Sequence, residues 1–154
     1  MRLTAAFGAG LLLCACGPAP PPAADRDKTR RDETKAPWYG QTLTQLAADN
    51  RDASRLLKSG KPDDAAALIQ SGETLAGKLL SVPKPTLEAM EAASDLDDLY
   101  GRMLLSNRNF GWARLFFQKN QARWKNWTPA TADTAARLKH AQDQIAECDR
   151  RMLE

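Results

Sequence analysis

From Trp38 onward, apolar residues recur at three- and four-residue intervals, the spacing that lines them along one face of an α-helix. No run of alternating β-branched residues is long enough to suggest a strand. The pattern predicts five helices. The first spans 41–57, with Leu43, Leu46, Ala47, Ala53 and Leu57 inward, and Ser59-Gly60 ends it. The second opens at Pro62, a residue suited to the first helical position, with Asp63 and Asp64 at the positive end of the helix dipole. Its stripe is Ala65, Leu68, Ile69, Ala76 and Leu79, and Pro83 and Pro85 end it. Gly72 and Gly77 read as points where a neighbouring backbone comes close. The third helix, 86–105, has one face of Ala89, Ala92, Ala93, Leu96, Leu99, Tyr100 and Met103, and an opposite face of Glu88, Glu91, Asp95 and Asp98. A polar turn, Ser106 to Asn109, leads into the fourth, 110–127. There Trp112, Ala113, Leu115, Phe116, Phe117, Trp124 and Trp127 cover so wide an arc that burial on more than one side is expected. Thr128-Pro129 closes it and is read as the cap of the fifth helix, 130–152, whose narrow seam is Leu138, Ala141, Ile145, Cys148 and Met152. The fold class expected is all-α, about five helices in antiparallel hairpins.

A displacement of 48 residues aligns Leu56, Leu57, Ala65 and Gln70 with Leu104, Leu105, Ala113 and Gln118, and sets Leu68 and Ile69 against Phe116 and Phe117. Such self-similarity is typical of helical-hairpin arrays, where one hairpin cannot bury its apolar side alone. The order leucine, turn, alanine, bulky pair and terminal proline resembles tetratricopeptide repeats over about 75 residues, although the usual period there is about 34 residues and the full consensus is absent. The resemblance implies stacked hairpins; a plain helical bundle is the alternative.

The first segment differs in kind. Arg2 precedes an apolar stretch from Leu3 to Leu13, shorter than the roughly 20 residues a membrane span requires. A charged start, an apolar middle and small residues at the end describe a secretory signal peptide over 1–15. The motif Leu13-Cys14-Ala15-Cys16 resembles the lipobox of bacterial lipoproteins. That resemblance implies cleavage before Cys16, a diacylglycerol on its thiol and an acyl chain such as palmitate on its amine. Cys14 is the rival site, but Leu13 directly before it is not the small residue wanted there. Gly17, rather than aspartate, follows Cys16, so the family's sorting rule implies an outer-membrane protein facing the periplasm in a diderm host. Each buried methylene contributes about 0.8 kcal/mol, so several acyl chains on one residue make a firm anchor. Residues 16–37 are rich in proline and in mixed charge and nearly devoid of large apolar side chains. They read as a solvated linker ahead of a helical domain at 38–154.

Composition narrows the function classes. A length of 154 residues suits one modest domain, and 27% charged residues exclude a multi-spanning membrane protein. A net charge of +3 is too small to argue for nucleic acid. Three cysteines and one histidine are too few for most metal cages, since a closed zinc site by itself takes about four ligands, and no metal is expected. There is no G-x-S-x-G elbow, phosphate-binding glycine loop or calcium loop. His140 sits off the seam of its helix and reads as solvated, whereas Cys148 sits on the seam and reads as a small hydrophobe. The pairs Asp63/Asp64 and Asp97/Asp98 point in diverging directions, the second taken as part of a solvated face. Neither an enzyme nor a cofactor is expected.

Two features suggest contact surfaces. Residues 86–100 hold five acids and no base, whereas 102–125 hold six bases and no acid. That polarity either pairs within the fold or orients a protein partner. The stretch from Phe116 to Trp127 interleaves aromatics with bases, and its plain explanation is core packing. Trp112, Arg114, Arg123, Trp124, Lys125 and Trp127 are the expected partner contacts, with the acidic face of the third helix as a second surface. The resulting expectation is a membrane-anchored lipoprotein acting as a non-catalytic protein-binding adaptor or assembly factor, its partner another envelope protein. The alternative is a small-molecule or lipid carrier with an aromatic cavity between helices three, four and five.

Overall fold

A computed structural model describes residues 32–154. Cleavage of the signal peptide, acylation of Cys16 and the linker up to residue 31 lie outside the described residues. Among those described, five helices carry the chain and there is no strand: α1 (Pro37–Lys58), α2 (Pro62–Leu80), α3 (Leu87–Ser106), α4 (Phe110–Lys125) and α5 (Ala132–Met152). None of them is long and apolar enough to cross a membrane.

Helix α1 starts four residues earlier than the apolar pattern suggests, and residues 32–37, expected as linker, are ordered. Asp32 accepts from the Thr34 amide at 3.1 Å, a single 3-10 turn follows at Glu33–Lys35, and Pro37 sets the first helical φ. Tyr39 then anchors this end: it is buried, and its hydroxyl accepts the Thr86 amide N–H at 3.1 Å, tying α1 to the start of α3. The Lys78 ammonium lies 4.9 Å from the Trp38 ring centroid, tying it to α2.

Helices adjacent in sequence pack together as hairpins, and α3 lies against both α1 and α2. The main core joins Leu46 and Ala53 of α1, Ile69 and Leu79 of α2, and Ala89, Ala93 and Leu96 of α3. A smaller core of Ala113, Phe117 and Cys148, flanked by Leu104, Leu105 and Ile145, joins α4 to α5. Thr86 caps α3 as expected of a hydroxyl at a helix start, accepting from the Ala89 amide at 3.3 Å.

The two hairpins α1–α2 and α3–α4 turn in the same way. The Lys61 amide donates to the Leu56 carbonyl at 3.0 Å, and 48 residues on the Asn109 amide donates to the Leu104 carbonyl at 2.9 Å. Gly60 and Arg108 occupy the matching left-handed position, with φ of 73° and 62°. Glycine takes that conformation freely, whereas Arg108 takes it against its own Cβ. Beyond each turn, Ala65 and Ala113 are wholly buried, as are Ile69 and Phe117.

Several local expectations change. Of Gly72 and Gly77, only Gly72 meets a close neighbour, and that neighbour is side chain: an added Cβ would lie 2.9 Å from a Leu96 methyl. Gly77 faces open space. The fifth helix is capped by Thr131, whose side chain and that of Thr134 form a reciprocal capping box, rather than by Thr128-Pro129. Helix α4 packs between α3 and α5, yet its outer side leaves Trp112 65% and Leu115 52% exposed. The α5 seam ends at Cys148, since Met152 is exposed.

Candidate functional site

The six residues expected to form one contact surface are divided by the fold. Arg123 and Trp124 are buried and serve the α3–α4 interface. The Arg123 guanidinium lies 2.7 Å from the Asp97 carboxylate, and the Trp124 indole donates to the Ser94 hydroxyl at 2.8 Å. Asp97 also takes the Lys119 ammonium at 2.8 Å and is only 2% exposed, so it is no part of a solvated face. Helical spacing puts Asp97 beside the inward Ala93 and Leu96, where it needs cations from α4 to be tolerated. Arg114 donates to Asp149 on α5 at 2.6 Å, a bond that holds its own charge firmly and raises its pKa. Lys125 is exposed at the end of α4, and Trp127 is half-buried in the loop beyond. Trp112 alone stands out as a large exposed aromatic.

The acidic face of α3 is met by α5. Arg137 binds Asp95 at 2.7 Å, and His140 Nε2 lies 2.7 Å from Asp98, whose second oxygen receives Arg102 at 2.8 Å. The opposite charges of α3 and α4 likewise meet inside the fold, through Asp97. A cleft of about 210 Å³ between α3, α4 and α5 is lined by Ser94, Asp95, Asp98, Asn120, Arg137 and His140, with no aromatic wall for the carrier alternative.

The larger concavity lies elsewhere, between α1 and α3. One cleft of about 560 Å³ is lined by Asn50, Arg51, Arg55, Asp95, Asp98 and their neighbours. A second of about 590 Å³ is lined by Leu57, Pro62, Met103, Leu105 and Gln144 among others. The two share Ser54, Lys58, Leu99 and Arg102, so they form one trough that is polar at one end and apolar at the other. The α1 residues along it run from 50 to 58, about 12 Å at 1.5 Å per residue.

Sequence reasoning missed this site because it traced only the inward stripe of α1. The available signal was Arg51, Arg55 and Lys58, at intervals of four and three residues on one face. The Asn50 side-chain amide donates to the Ala92 carbonyl of α3 at 2.8 Å and holds the trough's two walls together. Its buried carbonyl oxygen has no partner among the described residues.

The trough offers cations, an amide and apolar walls. No group of three or more histidine, cysteine or acidic side chains able to hold a metal occurs among the described residues. Cys148 is fully covered, and burial pushes its thiol up, away from the reactive thiolate.

Comparison with known protein families, curated proteins and solved structures returns no match.

Proposed function

We propose that this chain is a lipid-anchored, non-catalytic protein-binding adaptor or assembly factor of the cell envelope, attached through Cys16 and, in a diderm host, facing the periplasm from the outer membrane. Its helical domain would work as a tetratricopeptide-like pair of hairpins. The observation that supports the binding role is the trough across α1 and α3. It is long, open to solvent and built by two different hairpins, a shape suited to a segment of another protein rather than to an enclosed small molecule.

Affinity capture from solubilised membranes tests the reading, using wild type and Ser54→Trp, which fills the stretch shared by both clefts. Wild type should recover a partner that the folded variant loses. Equal recovery by both removes the trough from the adaptor's function, and no partner with wild type removes the adaptor reading itself.

A further inference from the structure

Charge along the trough is unevenly satisfied. Its carboxylates are engaged from within the fold: Asp95 by Arg137, and Asp98 by Arg102 and His140. The cations of α1 are not matched in the same way. Arg55 pairs with Asp52 on its own helix at 3.0 Å, while Arg51 and Lys58 form no ion pair among the described residues. They are seven residues apart, two turns along one face and about 10 Å at helical rise. Beside them, Leu99 and Met103 of α3 and Leu57 of α1 supply the apolar wall.

We propose that the trough holds an acidic, amphipathic segment of a partner protein, its carboxylates against Arg51 and Lys58 and its apolar side chains against Leu57, Leu99 and Met103. This rests on the adaptor reading and names the partner's chemistry. The openness of the trough decides for a protein segment over a lipid. An acyl chain laid there would remain in water along its length, whereas a peptide keeps its polar backbone toward solvent. At about 3.3 Å per residue, a 12 Å wall accommodates about four extended residues, enough to present two carboxylates to the two cations. Charges at such a rim act on recognition and association rate and are screened by salt.

The test uses the full-length protein in neutral detergent and a fluorescein-labelled ten-residue peptide of alternating leucine and glutamate. A leucine–lysine counterpart serves as control and glycerol phosphate as a competitor standing for a lipid headgroup. Binding should favour the glutamate peptide, weaken with salt and fall about tenfold in Arg51→Glu/Lys58→Glu, while Arg51→Lys/Lys58→Arg keeps it. Both positions are exposed, so thermal melts should confirm that each double variant is folded. Equal binding of the two peptides, unchanged binding by the charge-reversed variant, or displacement by glycerol phosphate at matched charge overturns the proposal. Any of these leaves the adaptor reading intact as long as Ser54→Trp still loses the captured partner.

Discussion

Leu46, Gly72, Leu75 and Ala76 of the first hairpin stand 48 residues before Ser94, Asn120, Arg123 and Trp124 of the second. The backbones turn alike, yet the first set is small or aliphatic and the second is a polar network. The Asn120 amide donates to the Ser94 carbonyl at 2.9 Å and its carbonyl oxygen receives Arg123, while the Trp124 indole reaches the Ser94 hydroxyl. One position keeps its chemistry: Asp49 and Asp97 are both buried. Asp49 is satisfied by neutral donors, Gln45 at 2.7 Å and Ser71 at 3.2 Å, whereas Asp97 is satisfied by Lys119 and Arg123. One helical-hairpin frame thus tolerates either filling, provided each buried polar atom finds a partner.

The contrast breaks most visibly at Arg123. A buried ion pair adds little net stability over a well-packed apolar substitute, but removing one partner strands the other and costs about 3–5 kcal/mol. Arg123→Ala should fall near 3 kcal/mol, since Lys119 remains beside Asp97. Ser71→Ala, at the position 48 residues before Lys119, removes a neutral hydrogen bond and should cost about 1 kcal/mol. Urea unfolding of the two variants measures the difference. If Arg123→Ala costs no more than Ser71→Ala, the two carboxylates are held in equivalent ways and the distinction fails.

A second correspondence concerns volume. Ala53 and Ile69 of the first hairpin become Gly101 and Phe117 in the second, so a larger ring is accompanied by the loss of a methyl. A Cβ placed on Gly101 would lie 2.7 Å from the Phe117 ring. Gly101→Ala should therefore destabilise by about 1–3 kcal/mol despite improving helix propensity. In a Phe117→Ile background, which restores the first hairpin's pairing, the same change should become neutral or stabilising. Thermal melts of the four proteins give the coupling, and additive effects would show that the two positions are independent.

These correspondences also mark what the sequence could disclose. The helices were legible because their inward stripes are dense in leucine and alanine and the first turn carries strong signals at Gly60 and Pro62. The start of α1 was not, because Pro37 follows directly on a linker-like run and its ordering depends on Tyr39 meeting Thr86, 47 residues away. The burial of Asp97 and Arg123 was hidden for a related reason. Each looks like an ordinary charge on a mixed face, and only the crossing of α3 with α4 brings them together. The trough was the least legible feature, since its walls come from the non-consecutive α1 and α3.

The smallest expected effect sharpens the comparison where the polar filling is incomplete. Leu43 packs against the first core, and the residue 48 positions later is Glu91 on α3. Burial is the largest influence on the Glu91 carboxyl and raises its pKa; Arg137 opposes that shift, while Asp133, Asp95 and Glu88 add to it. The native state therefore takes up this proton more readily than the unfolded chain. Its contribution favours folding below the ordinary carboxylate range and is lost as pH rises through the elevated value. At neutral pH the charged form is a small burden, and Glu91→Gln should stabilise the fold by up to about 0.5 kcal/mol, the scale of surface substitutions. That advantage should shrink as pH falls toward 4, because wild-type Glu91 then becomes neutral as well. Denaturation midpoints of both proteins across that range decide it. An advantage independent of pH would assign the effect to packing, and a loss at neutral pH would show that Arg137 satisfies Glu91 as fully as Arg123 satisfies Asp97.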